Sequence, residues 1–81
     1  MLVRVLAFAR VRELLGFAEQ MIQLPQSTTT GELWHRLSAD NHHLALLATS
    51  TRIARNGELV GPEVYLSDGD EVALLPPVGG G

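Results

Sequence analysis

The sequence predicts one α+β domain, a mixed β-sheet packed on a single main helix. Three observations carry this reading. The two most continuously apolar stretches, "LVRVLAFA" at residues 2–9 and "EVALL" at 71–75, stand at opposite ends of the chain. Such runs suit central strands covered, or nearly covered, on both faces, so the two ends are expected to pair side by side and parallel. One helix is well signalled: Thr29 and Glu32 form a capping box, and Leu33, Trp34 and Leu37 then fall on one face. Finally, Asn56-Gly57 is suited to the two positive φ values of a type I′ hairpin turn.

The elements follow in order. Residues 2–9 form the first strand. In "RVRELLG", Val11, Leu14 and Leu15 have helical spacing and Gly16 serves as a stop, giving a short helix at 11–15. Met21 and Ile22 ahead of Pro25 give a second strand at 18–24, antiparallel to the first. The capped helix covers 30–39. "DNHH" interrupts it, and "LALLATS" adds a short helical piece. Strands at 52–55 and 58–60 flank the Asn-Gly turn. "GPEVYL" is a turn and short strand, "SDGD" at 67–70 is a turn, and 71–75 is the last strand. This is a β-grasp arrangement. A ferredoxin-like sandwich needs two full-length crossover helices, and only one is signalled. The domain is expected to span 1–76, with an extended Gly-rich tail at 77–81.

Composition narrows the function. The 81 residues are 46% hydrophobic, enough for one small core. The net charge of −3 argues against binding to a nucleic-acid phosphate backbone. There are no cysteines, so disulfides, thiolate zinc sites and thiol nucleophiles are excluded. The longest apolar run, Leu44–Ala48, is far short of the roughly 18 residues of a membrane span. A cytoplasmic location is expected, with no membrane contact. All six basic residues are arginine, so no lysine can receive an isopeptide bond, although the chain could donate one.

Few residues suggest self-contained catalysis. His35, His42 and His43, with Asp40 or Glu32, match no zinc spacing, so no metal site is expected. "SDGDE" lacks the rest of a calcium loop. There is no G-x-S-x-G elbow and no Gly-rich phosphate cradle between a strand and a helix.

The C-terminal stretch "LLPPVGGG" is the exception. Pro76 and Pro77 cannot donate ladder hydrogen bonds, so the sheet should end there and the chain leave in an extended path. Gly79, Gly80 and Gly81 lack Cβ atoms, so a narrow channel could close around bare backbone. Pro77 to Gly81 spans roughly 16 Å fully extended. The chemistry would then reside in the terminal carboxylate. With a pKa of about 3.5 it is ionised at neutral pH and a poor electrophile. An ATP-using partner could convert it to an acyl-adenylate. A sulfur nucleophile could displace AMP and leave a thiocarboxylate, itself a nucleophile able to deliver sulfur in another active site.

At this point the residues carry a family resemblance. "FARVRELLG" at 8–16, "NGELV" at 56–60, "LSDGDEVALLPPV" at 66–78 and the final Gly80-Gly81 resemble the MoaD family, ubiquitin-like sulfur carriers that form the small subunit of molybdopterin synthase. The resemblance covers essentially the whole chain. It implies adenylation of Gly81 by an E1-like, MoeB-like enzyme using ATP, and conversion to thioglycine. The tail would then insert into a large MoaE-like subunit of a heterotetramer, and sulfur would pass to cyclic pyranopterin monophosphate. No cofactor bound by this chain itself is implied. The family's docking surface maps onto Phe8, Arg12, Leu59 and Leu75 and the tail residues Pro76, Pro77, Val78, Gly79 and Gly80. For Phe8, Leu59 and Leu75 ordinary core packing is an equal reading, and for Arg12 a solvated helix start. Gly79 departs from the family, which often has a small hydroxyl residue there. A carrier for thiazole synthesis or tRNA thiolation, a protein modifier conjugated through Gly81 and a plain binding module remain the alternatives.

Overall fold

The computed structural model describes residues 1–77. The elements are β1 (Leu2–Ala7), α1 (Ala9–Leu15), β2 (Glu19–Gln23), α2 (Thr30–Ser38), α3 (His42–Ala45), β3 (Arg52–Arg55), β4 (Glu58–Val60) and β5 (Glu71–Leu75). The five strands form one mixed sheet in the order β2-β1-β5-β3-β4. β1 and β5 are parallel neighbours at its centre, with Val5 opposite Val72 and Ala7 opposite Leu74. The remaining pairs are antiparallel. The predicted pairing of the two chain ends is therefore the observed one.

The helices cover one face. Val3, Val5, Val72 and Leu74 point into a core completed by Val11 of α1, Leu33 and Trp34 of α2 and Leu44 of α3. The capping box forms as the sequence predicts: the Glu32 N–H donates to Thr29 Oγ1 at 3.1 Å, and the Thr29 N–H donates to Glu32 Oε1 at 2.9 Å. Such a cap contributes about 1 kcal/mol. Asn56 and Gly57 take φ values of 49° and 87°, as a type I′ turn requires.

Four expectations need correction. β1 is not covered on both faces: Leu2 and Arg4 are exposed and Leu6 is half-buried, in alternation with fully buried valines, whereas in β5 the outward Glu71, Ala73 and Leu75 are all half-buried. β1 ends at Ala7 rather than Ala9. Ala9 has a φ of +50°, which turns the chain off the strand and starts α1 two residues before the predicted helix. "GPEVYL" contributes only an isolated bridge between Thr29 and Tyr65. The third helical piece begins earlier than predicted, at His42, because Asn41 caps it by accepting from the Leu44 N–H at 3.1 Å.

One polar cluster locks the end of the sheet where β5 begins. Asp70, only 6% exposed, accepts from Arg55 Nε at 2.7 Å, from the Ser67 N–H at 2.7 Å and from Asn56 Nδ2 at 2.9 Å. Asn56 Oδ1 in turn accepts from the Glu71 N–H at 2.9 Å. The hairpin turn is thus tied to the turn that feeds the central strand. Burial pushes the Asp70 carboxyl up, but the bonds from Arg55, Ser67 and Asn56 outweigh it and hold its pKa below the ordinary carboxylate value.

A depressed carboxylate pKa contributes stability that is present above the unfolded-state pKa of about 3.9 and is lost as pH falls through the folded value. Asp70→Asn should therefore cost about 1–3 kcal/mol in urea unfolding at neutral pH. The gap from the parent chain should narrow on acidification into the range below about pH 4. A gap independent of pH would show that the ionised carboxylate is not the stabilising form.

Candidate functional site

The sheet face away from the helices is built by strand alternation. Register places Leu6 of β1, Ala73 of β5, Ala54 of β3 and Leu59 of β4 in one row across four strands. Ala54, flanked on both sides, is buried, whereas Leu59 is 56% exposed. In the next row toward the end of β5, Leu75 lies opposite Arg52. Phe8, 43% exposed, follows Ala7, whose partner is Leu74. The open face thus carries an apolar band, and it lies at the end where β5 hands over to Pro76 and Pro77.

Beyond this band the same face carries charge alongside the exposed Leu2 and Met21, the latter opposite Arg4. Arg4 Nη1 lies 3.5 Å from Glu19 Oε2, and Arg4 Nη2 lies 3.9 Å from Glu71 Oε1. Both pairs are solvent-exposed and screened, so they contribute little to stability.

The structure places three of the named residues on one side of the sheet: Phe8, Leu59 and Leu75 belong to the open side rather than to the helix-facing core. Arg12 sits on α1, exposed beside the buried Val11, and its carbonyl accepts the Gly16 N–H at 2.9 Å. Pro76 is half-buried and Pro77 exposed just past the last strand. Val78, Gly79, Gly80 and Gly81 lie outside the described residues. Leu6, Ala73 and Ala54 join the apolar band without having been named from the sequence. Arg4 was the available signal, because an arginine within β1 marks its outward face and Leu6 shares that parity.

The rest of the described surface offers little chemistry. His35, His42 and His43 are exposed, and among the described residues no three His, Asp or Glu side chains gather as metal ligands. No described helix is long and apolar enough to cross a membrane. A cavity of about 340 Å³ opens on the helix side, lined by Trp34, His35, Ser38, Ala48, Ile53 and Val60 among others, with no residue from β1 or β5.

Comparison with known proteins gives this geometry its context. A family profile described as the ThiS family matches residues 5–81, the apolar band and the C-terminal stretch included. The chain belongs to the ThiS family. Over 83 residues, this ThiS-family chain is 37% identical to a molybdopterin synthase sulfur carrier subunit of Chlamydomonas reinhardtii, with all of both chains covered. It is 28% identical to a chain in a protein–protein complex of subunits 1 and 2 of the molybdopterin-converting factor of Helicobacter pylori, with a TM-score of 0.70 and 100% of each chain covered. The small archaeal modifier protein 1 of Methanosarcina acetivorans is 26% identical at a TM-score of 0.81, covering 99% of this chain and 96% of that one. The chain is therefore a homologue of MoaD- and ThiS-like sulfur carriers, with the ubiquitin-like β-grasp topology.

The exposure of Leu59 sets a measurable contrast. Leu59→Ser should change folding stability by less than about 1 kcal/mol, as an open surface site allows. Leu74→Ala, on the buried parity of β5, should cost about 2–5 kcal/mol. Thermal unfolding monitored by circular dichroism compares them, and an equally large loss at Leu59 would place that residue in the core.

Proposed function

We propose that this chain is the sulfur carrier subunit of molybdopterin synthase. In this reading the Gly81 carboxylate attacks the α-phosphorus of ATP on an E1-like partner, releasing pyrophosphate and forming the acyl-adenylate. A sulfur nucleophile supplied by another protein then displaces AMP, and the resulting thiocarboxylate is carried to the large subunit. There its sulfur is transferred to cyclic pyranopterin monophosphate. The chain acts as a carrier rather than as an enzyme alone, and we place the reaction in the cytoplasm, where ATP is available.

The observation that carries the proposal is the apolar band of Phe8, Leu6, Leu59 and Leu75 beside the exit of β5. A soluble domain that leaves an apolar band on one sheet face, next to the segment that must enter a partner, has a surface suited to docking. The relatives described as sulfur carrier subunits support the choice of pathway. A second reading, conjugation to proteins through Gly81, is favoured by the likeness to the archaeal modifier. It differs in its product: conjugation joins the glycyl carbonyl to an amine of another protein, whereas a carrier returns to a free carboxylate.

Incubation with ATP, an adenylating partner and a sulfur source should give an intact mass raised by replacement of one oxygen with sulfur. The product should convert the pterin precursor when combined with a large subunit. Deletion of Gly81 should abolish both while leaving the melting temperature unchanged, because the described core is built from residues before Pro76. Undiminished cofactor formation without Gly81 would refute the proposal. Accumulation of adducts on other proteins, with no pterin conversion, would select the modifier reading.

A further inference from the structure

We propose that β2 pairs with β2 of a second copy of this chain, antiparallel about a two-fold axis at Met21, so that two sheets join into one. The inference is independent of the carrier reading.

The first ground is the direction of the backbone groups. Met1 and Leu24 exchange both of their bonds, N–H to carbonyl, at 2.7 Å, and the Ala7 N–H donates to the Ala18 carbonyl at 2.8 Å. In an antiparallel ladder such exchanging pairs recur at every second residue. The register then makes Val3 with Ile22 and Val5 with Gln20 the bonded pairs of β1 and β2. The even residues of β1 confirm the parity by turning to β5: the Arg4 N–H donates to the Asp70 carbonyl at 2.9 Å, and the Leu2 carbonyl accepts the Gly69 N–H at 2.8 Å. Glu19, Met21 and Gln23 therefore aim their N–H and C=O groups away from β1. β2 is the terminal strand of the sheet, and these groups meet no partner among the described residues.

The second ground is that this edge is left open. Edge strands are commonly guarded by proline, lysine, a bulge or extreme shortness. β2 is EQMIQ, with no proline, no basic residue and an unbroken register against β1. The other edge strand, β4, has three residues and runs straight into Gly61-Pro62. Met21, at the centre of the β2 edge, is 51% exposed.

The third ground selects a second copy as the occupant. About a two-fold axis at Met21, Met21 faces its own counterpart and Glu19 faces Gln23, each pair exchanging both backbone bonds. Only this register pairs all three edge residues within β2. Centring on Glu19 sets two carboxylates against each other, which is unfavourable. Centring on Gln23 sets Met21 against Pro25, which has no N–H to give. In the chosen register the Gln23 side-chain amide can donate to the Glu19 carboxylate, and an apolar methionine pair lies between the two Arg4 side chains. The axis stands normal to the sheet, so the second copy sits at the β2 edge rather than over the apolar band. The two β5 strands run in opposite directions, and each Pro76 exit stays clear.

Sedimentation equilibrium and amide hydrogen exchange of the full chain test this pairing. The parent chain should dimerise with a dissociation constant at or below about 1 mM, the weak end expected of a small interface. As the dimer fills, exchange of the Met21 and Gln23 amides should slow roughly tenfold, while that of Gln20 and Ile22, already bonded to β1, changes less than about twofold. Met21→Glu should weaken dimerisation at least about tenfold, because like charges then meet across the axis, while in the monomer the new carboxylate faces Arg4 and favours the fold. Gln23→Pro removes an N–H that β1 does not use and should weaken the dimer likewise, which keeps the test intact if one variant folds poorly. Leu59→Ser, on the opposite edge strand, should leave dimerisation unchanged. A chain that stays monomeric at about 1 mM would overturn the proposal, whatever strand of another protein it accepts. So would a dimer whose Met21 amide exchanges as in the monomer, or one loosened by Leu59→Ser and not by Met21→Glu.

Discussion

The structure depends on the parallel pairing of β1 with β5. These strands come from opposite ends of the chain, and no local contact prepares them to meet: Val5 finds Val72 and Ala7 finds Leu74 only once the intervening chain has folded. The reward for closing that long loop is the fully buried row of Val3, Val5, Val72 and Leu74 beneath the helices. The same pairing has a consequence on the opposite face. By setting Ala7 beside Leu74, it brings Phe8 to the end of β5, where Leu75 leads into Pro76. The core and the candidate docking surface are two sides of one strand pair.

The ends of that pair are finished differently. Where β5 begins, the Asp70 carboxylate is saturated by Arg55, Asn56 and the Ser67 N–H, and backbone bonds join Asp70 to Arg4 and Gly69 to Leu2. Where β5 ends, no comparable clamp is built from described residues; two prolines stop the ladder. Under the proposed function the body holds its shape while partners handle the tail, and the Asp70 corner and the Pro76-Pro77 exit stand at opposite ends of the central strand.

Much of the fold was legible because its signals are local. A hydroxyl at Thr29 with a carboxylate at Glu32 can satisfy a helix start without reference to the rest of the chain. Asn56-Gly57 likewise encodes its turn in two residues. The misread elements were those in which side-chain parity competed with overall apolarity. Leu2 and Leu6 made β1 look buried on both faces, while Arg4 between them correctly marked one face as open. Ala9, with a positive φ, was invisible to a periodicity argument because nothing in an alanine side chain announces that backbone state.

By itself, then, the sequence determined the capped start of the main helix, the Asn56-Gly57 turn and the lack of any cysteine. Those are properties of residues and their near neighbours. Tertiary structure decided which apolar residues were left outside. Phe8, Leu59 and Leu75 are chemically indistinguishable from core residues in a string of letters, and only strand order and register assign a side chain to the covered or the open face of a sheet. It also decided that Arg52, distant in sequence from the tail, stands beside Leu75, because antiparallel pairing of β3 with β5 joins the start of one strand to the finish of the other.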